Sequence, residues 1–296
     1  MENFRVREIG PWTYEEKLAI LGEYLGGEEY KGGFAYATKA ARATFYIDAF
    51  AGPGKCRVRG TDNIVDGSPL IALRVKPAFT EYFFLEHDEM AIKALKQWIS
   101  KEVPDMWSRV NIVPGDCNDT VEQVLTRIPE WAPCLAFLDP EGPELHWETV
   151  AKIATSRKSS RYRKIELLIL FPYDMAIVRL MPRDPSKLIH ATIIDRVMPD
   201  PKAWRRIYAT RVSGEMDAKQ VRRAIAESYR DGLLKLGYKH IPAPRLVEDL
   251  KGGPLYFLFF ASDHVAGRRI IDYVFNKVRG AIVQLSFWPR RYEEEY

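Results

Sequence analysis

The sequence predicts an α/β fold: about five parallel strands with helices between them, an antiparallel C-terminal hairpin, and a mainly helical insertion over 174–235. Three observations predict it. Strand-like and helix-like segments alternate from 44 to 171, the pattern of a parallel sheet covered on both faces. The strand segments are near-continuous apolar runs, as such sheets require. Two further runs, 238–247 (YKHIPAPRLV) and 254–261 (PLYFLFFA), flank the turn DLKGG, which is too short for anything but antiparallel pairing. The 296 residues read as a single domain with no internal repeat and no long linker.

In chain order, residues 14–30 place Leu18, Leu21 and Leu25 at helical spacing, with Thr13 as the N-cap. The stretch 31–43 is basic and contains Gly. TFYIDAF (44–50) is a buried strand running into the turn AGPGK, and 55–67 reads as an irregular loop. SPLIALRVK (68–76) opens with Ser then Pro, an N-cap followed by the first helical position. EYFFLE (81–86) is the second strand, 88–101 an amphipathic helix with Asp88 as its cap, and 109–113 the third strand. A helix over 119–128, a strand CLAFL (134–138), a helix over 146–155 and a strand IELLILF (165–171) follow. After the hairpin come a helix over 263–279 and an aromatic, charged tail. Five parallel strands closed by such a hairpin form the sheet of class I methyltransferases, whereas plain dinucleotide folds keep the last strand parallel.

Composition excludes several classes. No apolar run reaches the ~20 residues of a membrane helix. The start, MENFRVREIGPW, lacks an apolar signal core, and the three cysteines form no CxxC pair, so the expectation is a cytoplasmic protein without a disulfide framework. The five histidines show no HxH or HExxH spacing, so no metal site is expected. The formal net charge is +4. The densest basic run is Arg157, Lys158, Arg161, Arg163 and Lys164, interrupted by Tyr162. It reads either as a solvated loop or as a surface that tracks the phosphates of a nucleic acid. Trp204, Arg205, Arg206, Arg222 and Arg223 in the insertion read either as a substrate lid or as packing.

The chemistry-bearing residues fall at successive strand ends, where open α/β sheets bind ligands. Asp48-Ala49-Phe50-Ala51-Gly52-Pro53-Gly54 follows the first strand. An acid with Gly at the fourth and sixth positions after it resembles motif I of S-adenosylmethionine (SAM) enzymes, such as the D-P-F-C-G-S-G loop of amino-methyltransferases. In those enzymes the loop backbone holds the methionine part of the cofactor. That role passes to Phe50, Gly52 and Gly54, with Asp48 as an orienting carboxylate. Pro53 removes an N–H and no G-K-[ST] is present, which argues against a phosphate loop. Glu86 ends the second strand, where a carboxylate accepts both hydroxyls of an adenosine ribose; a solvated charge is the competing reading. Asp116 follows the third strand, suited to the adenine amino group or to capping the next helix, and Asn118 would assist either. Asp139-Pro140 ends the fourth strand, the position facing the transferable methyl, and is the candidate catalytic or substrate-holding pair; a structural strand-end Asp is the alternative. Amino-methyltransferases carry [DN]-P-P-[YFW] here, and this chain has Glu141 and Gly142 instead of the second Pro and the ring. Pro133-Cys134 precedes its strand, the wrong end for a cytosine-C5 nucleophile. Phe171-Pro172-Tyr173-Asp174 is a second substrate edge, with core packing as the default.

Together FAGPG (50–54), GSPLIAL (67–73), FLE (84–86), GDCN (115–118) and FLDP (137–140) resemble the three-Cys-motif partner protein family of bacteria and phages, over about the first 175 residues plus the closing hairpin. Members usually carry an aromatic residue where this chain has Glu141. The resemblance implies a SAM-methyltransferase-like fold and a three-Cys-motif protein as partner. The expected function is a SAM-binding methyltransferase acting on a nucleic acid or nucleotide. The alternatives are a catalytically inactive methyltransferase-fold binding module and an NAD(P)-dependent oxidoreductase; the latter lacks the G-x-G-x-x-G spacing.

Overall fold

The computed structural model describes residues 4–26, 33–159, 161–249 and 251–287. Residues 288–296 of the expected tail, and 27–30 of the first expected helix, lie outside the described residues, whereas 280–287 continue the last helix.

Seven strands form the main sheet: β2 (Phe45–Asp48), β5 (Glu81–Glu86), β6 (Val110–Pro114), β7 (Cys134–Leu138), β8 (Glu166–Phe171), β9 (Arg245–Glu248) and β10 (Pro254–Ala261). Their spatial order is β6-β5-β2-β7-β8-β10-β9. The first five pair in parallel. β10 is antiparallel to both β8 and β9, so within the hairpin only β10 runs against the sheet. This strand order and single reversal define the class I methyltransferase architecture. The chain leaves β2 toward β5 and β6, then crosses back to β7. The switch point, and with it a crevice beyond the strands' carboxyl ends, therefore falls beside β2.

Alternation along each strand feeds two core layers. On one face, Tyr46, Phe84, Phe137 and Leu258 pack with α1 (Ala19–Leu25), α3 (Ser68–Arg74), α4 (Glu89–Glu102) and α10 (Val265–Phe287). On the other, Ile47, Leu85, Ile169 and Phe259 meet α5 (Cys117–Leu125), α6 (Trp147–Thr155), α7 (Ala191–Val197), α8 (Pro201–Ser213) and α9 (Ala218–Lys235). The insertion is helical as expected, and it contributes Trp204, Ile225, Tyr229 and Leu233 to that second layer. A short helix, α2 (Gly33–Ala37), stacks Phe34 on Phe79.

Four local expectations are corrected. Residues 55–67 are not irregular: β3 (Lys55–Val58) and β4 (Ile64–Asp66) form a hairpin, and β1 (Arg7–Ile9) adds in parallel to β3. These strands are short and half-polar, so nothing in their local pattern marked them. Thr13 does not cap the first helix: it opens a π-helical segment, Thr13–Leu18, continuous with α1, and no side chain caps that start. The N-cap of α3 is Gly67, not Ser68, whose hydroxyl instead bonds Asp48. β9 is only four residues long, because Pro242 and Pro244 cannot donate to a ladder; before it His240 makes a lone bridge to Ser262.

Candidate functional site

A cavity of about 550 Å³ opens at the carboxyl ends of β2, β5 and β6. That volume suits a small-molecule ligand. Ala49, Phe50, Gly52 and Pro53 line it from the loop after β2; Glu86, His87 and Asp88 from the end of β5; and Gly115, Asp116 and Cys117 from the end of β6. Residues Arg5 to Glu8, on and before β1, cross its mouth. Arg5 bonds Asp88 at 2.6 Å and Arg7 bonds Glu141 at 2.5 Å, tying this strap to both rims. The lining holds the carboxylates of Glu8, Glu86, Asp88, Asp116, Glu141 and Glu144 against the guanidiniums of Arg5 and Arg7. Such a lining favours a cationic ligand and disfavours a nucleotide phosphate.

Glu86 is 9% exposed, and its two oxygens each take one backbone donor: Gly52 N to Oε2 at 2.7 Å and Asp88 N to Oε1 at 2.9 Å. A carboxylate oxygen accepts more than one hydrogen bond, so the group keeps acceptor capacity toward the cavity and has no donor of its own. That is a fit for a ligand diol. Gly52 adopts φ 64°, and a Cβ there would meet only Arg7 Nη1, at 3.8 Å, so its backbone faces open space. Gly54 (φ 88°) belongs elsewhere: a Cβ on it would come within 2.9 Å of Leu95 Cδ1, so it lets α4 approach the loop, and its carbonyl accepts from Gly67 N at 2.8 Å.

Asp48 is fully buried beneath the loop. Its Oδ1 accepts from Phe50 N at 3.3 Å, and Ser68 also donates to it. Burial raises its pKa from 3.8 to about 7, with Asp139 and Glu86 adding to the rise and the two hydrogen bonds opposing it. Asp48 thus orients the loop from below and does not line the cavity.

Asp116 is exposed at the cavity rim and caps α5: its Oδ1 accepts from Asn118 N and Asn118 Nδ2, both at 2.8 Å. Asn118 faces away from the cavity. Its Nδ2 also donates to Glu144 O at 2.8 Å, while its Oδ1 accepts from Thr149 Oγ1 at 2.7 Å and His146 N at 3.1 Å. The amide therefore pins the loop after β7 to α5.

Asp139 and Pro140 are buried at the end of β7, away from the large cavity. Asp139 instead faces a small void of about 30 Å³ under the glycine loop, shared with Lys17, Phe50, Gly54 and Ser68. Lys17 Nζ holds both its oxygens, at 2.6 and 2.8 Å. The sequence assigns Lys17 to the first helix (KLAIL, 17–21) and to no site, because its partner lies 122 positions away. Beside it, Glu16 pairs with the buried Arg245 at 2.8 Å. Phe171 and Tyr173 are 1% and 4% exposed, packed in the core, so their rings offer no stacking face. Cys134 opens β7 at the opposite end of the sheet, and Cys117 is buried at the start of α5.

The basic loop 157–164 precedes β8, at the end of the sheet opposite the cavity. Arg157 donates to Ala132 O and Arg163 O, Arg163 to Asp263 O at 3.3 Å, and Lys164 to Ala154 O at 2.9 Å. Lys158 and Arg161 are exposed. Within the insertion, Trp204 is fully buried and donates to Asp195, and Arg205 pairs with the same carboxylate. No helix among the described residues is long and apolar enough to cross a membrane.

No family model and no curated protein matches the chain. Solved structures do. The protein LPL1258 from Legionella pneumophila is 14% identical with a TM-score of 0.47, over 90% of this chain and 89% of that one. M. jannaschii TYW2, solved with AdoMet, is 12% identical with a TM-score of 0.38, over 85% of this chain and 75% of that one. A putative transferase from Pyrococcus horikoshii is 13% identical with a TM-score of 0.39, covering 85% of this chain, which spans 63% of that structure. The strand order of the chain itself makes the fold that of a class I methyltransferase.

Proposed function

We propose that the chain binds SAM in the 550 Å³ cavity and acts as a methyltransferase-like protein on a nucleic acid or nucleotide, together with a protein partner. The observation that carries this reading is Glu86: a buried carboxylate at the end of β5, held by Gly52 N and Asp88 N, with its remaining acceptor capacity toward an acidic cavity. Vicinal ribose hydroxyls are matched donors for such a group, and a sulfonium with an α-ammonium suits the carboxylate-rich wall. When bound, SAM supplies an electrophilic methyl group. Glu86 would bind the ribose, the exposed Asp116 the adenine amino group, and the backbone at Phe50 and Gly52 the methionine part. Asp48 holds Phe50 N–H in place, Gly54 lets the loop sit close on α4, and Asn118 fixes the loop that carries Glu144. Asp139 and Pro140, expected on the acceptor side, do not line this cavity, so their part would be to fix the start of the loop after β7 through Lys17 and not to orient the nucleophile. The resemblance to the three-Cys-motif partner family supports the choice of partner.

The Lys17–Asp139 pair favours a second reading, a methyltransferase-fold binding module without turnover, because Asp139 is buried outside the cavity and its charge is matched by Lys17. Calorimetric titration with SAM and with S-adenosylhomocysteine tests the first reading: both should bind below about 1 mM, and binding of neither removes it. Transfer of labelled methyl to nucleic acid, in the presence of the partner, separates the two readings.

A further inference from the structure

A second concave surface lies at the same carboxyl end of the sheet, on the α9 side. Its volume is about 460 Å³. Phe257 and Leu246 form its floor, and the register sets both level with Phe171, the last residue of β8. Its wall is one face of α9, carrying Lys219, Arg222, Arg223 and Arg230 against a single acid, Glu227. The four cations are not equally spent. Arg223 pairs with Glu227 in solvent, and Arg230 donates to Ile241 O at 3.2 Å. Arg222 lies with its guanidinium 6.0 Å from the Tyr173 ring centre and donates a hydrogen bond to that tyrosine's hydroxyl, while its Nε is buried with no acceptor among the described residues. Arg211 Nη1, on the α8 side of the same tyrosine, is buried and unmatched in the same way.

Buried guanidinium nitrogens normally find an acceptor, since leaving one unmade costs more than the bond yields. An orphan on Arg222 within the cationic wall, with a second on Arg211 across Tyr173, calls for an anion with several oxygens. Arginine forks match phosphate geometry, and a wall of alternating cations matches a chain of phosphates better than one isolated ion. The aromatic neighbours are buried, so the surface can read backbone and not bases.

We infer that this cleft, with Arg222 at its centre, holds the phosphodiester backbone of the acceptor nucleic acid, at the carboxyl end of β8 where an acceptor approaches the strand ends. The inference deepens the transferase reading and rests on it for the identity of the strand as acceptor. It assigns the nucleic-acid surface to Arg222 and Arg223 of the insertion, and not to the 157–164 loop, whose Arg157, Arg163 and Lys164 are committed to backbone carbonyls at the far end of the sheet.

The test is fluorescence anisotropy of a short labelled single-stranded RNA against the full chain, over a series of salt concentrations, with inorganic phosphate and pyrophosphate as competitors. Arg222→Gln should weaken RNA binding about tenfold at low salt and flatten the log–log salt slope by about 0.7, one lost phosphate contact on a single strand. The exposed pair Lys219→Gln/Arg223→Gln should weaken binding at least as much and flatten the slope by about 1.4, two lost contacts, without touching a buried group, which guards against a folding defect in the first variant. Lys158→Gln/Arg161→Gln should leave affinity within twofold. Competition by phosphate or pyrophosphate at concentrations far below those expected from ionic strength, with little RNA affinity, would overturn the nucleic-acid assignment in favour of a small-anion site. Loss of RNA binding in the loop variant, or wild-type binding in both cleft variants, would overturn the cleft. Calorimetry with SAM on the same variants keeps the two levels apart: SAM binding retained while cleft variants bind RNA normally sinks the cleft alone, and cleft-dependent RNA binding without SAM binding sinks the transferase reading alone.

Discussion

Lys17 Nζ stands 2.6 Å from Asp139 Oδ2 with the two side chains only 9% and 8% exposed, so a cation from the N-terminal helical segment neutralises the carboxylate at the end of the fourth parallel strand. Removing one partner of a buried pair leaves an uncompensated charge, whereas removing both can be nearly neutral. Lys17→Met should therefore cost about 3–5 kcal/mol in urea unfolding. Lys17→Met combined with Asp139→Asn should recover most of that loss. Equal stabilities for the single and double variants would mean that the pair is not a coupled unit.

Asp48 makes stability depend on pH. Its folded-state pKa of about 7 lies above the ordinary 3.8, so the folded protein holds this proton more tightly than the unfolded chain. That contribution is complete below the lower value and is lost as pH rises through the window up to about 7. Wild type should lose stability between about pH 4 and pH 7 relative to Asp48→Asn, which cannot titrate. Denaturation curves that shift in parallel for both proteins would show that Asp48 is ionised throughout.

The two glycines of the loop should separate by readout. Gly54→Ala drives a Cβ to 2.9 Å from Leu95 in a left-handed backbone, and should destabilise by about 2–3 kcal/mol. Gly52→Ala meets only the backbone penalty of about 1 kcal/mol, because the nearest atom is 3.8 Å away, but its methyl enters the cavity side. Thermal unfolding should report mainly the first substitution, and SAM affinity mainly the second. The reverse order would contradict the division of roles.

Cys56, Cys117 and Cys134 are all free and buried, and burial raises each thiol pKa, that of Cys134 to about 12. Because the thiolate is the reactive form, none should label with a thiol reagent in native buffer at neutral pH, and all three should label in denaturant. Rapid native labelling of Cys117 would make it a cavity nucleophile instead of a packing residue.

Local pattern carried the sheet: apolar runs ending in acids located Asp48, Glu86, Asp116 and Asp139 at four neighbouring strand ends. It could not say which of those acids share a cavity. Glu86 and Asp116 do, Asp48 lies beneath it, and Asp139 turns to Lys17. The difference arises from contacts across 122 positions and from a strap, β1 on β3, whose three residues have no periodicity to read. Asn118 looked like a ligand residue because helix starts after a strand end favour both capping and binding; its amide is consumed by Glu144, His146 and Thr149. The basic run 157–164 is conspicuous in sequence, yet chain order alone sets it at the amino end of β8, while the scattered cations of α9 converge only because a helix face gathers them.

If Glu86 accepts the hydroxyls of a nucleoside ribose, the ratio of dissociation constants for S-adenosylhomocysteine and its 2′-deoxy analogue reports it. A lost hydrogen bond to a charged group is worth about 1.5–3 kcal/mol, so the deoxy compound should bind at least about tenfold more weakly. The ratio should fall toward one in Glu86→Gln, where the charge is gone. Equal affinities for the two compounds in the wild-type protein would show that Glu86 does not hold a ribose.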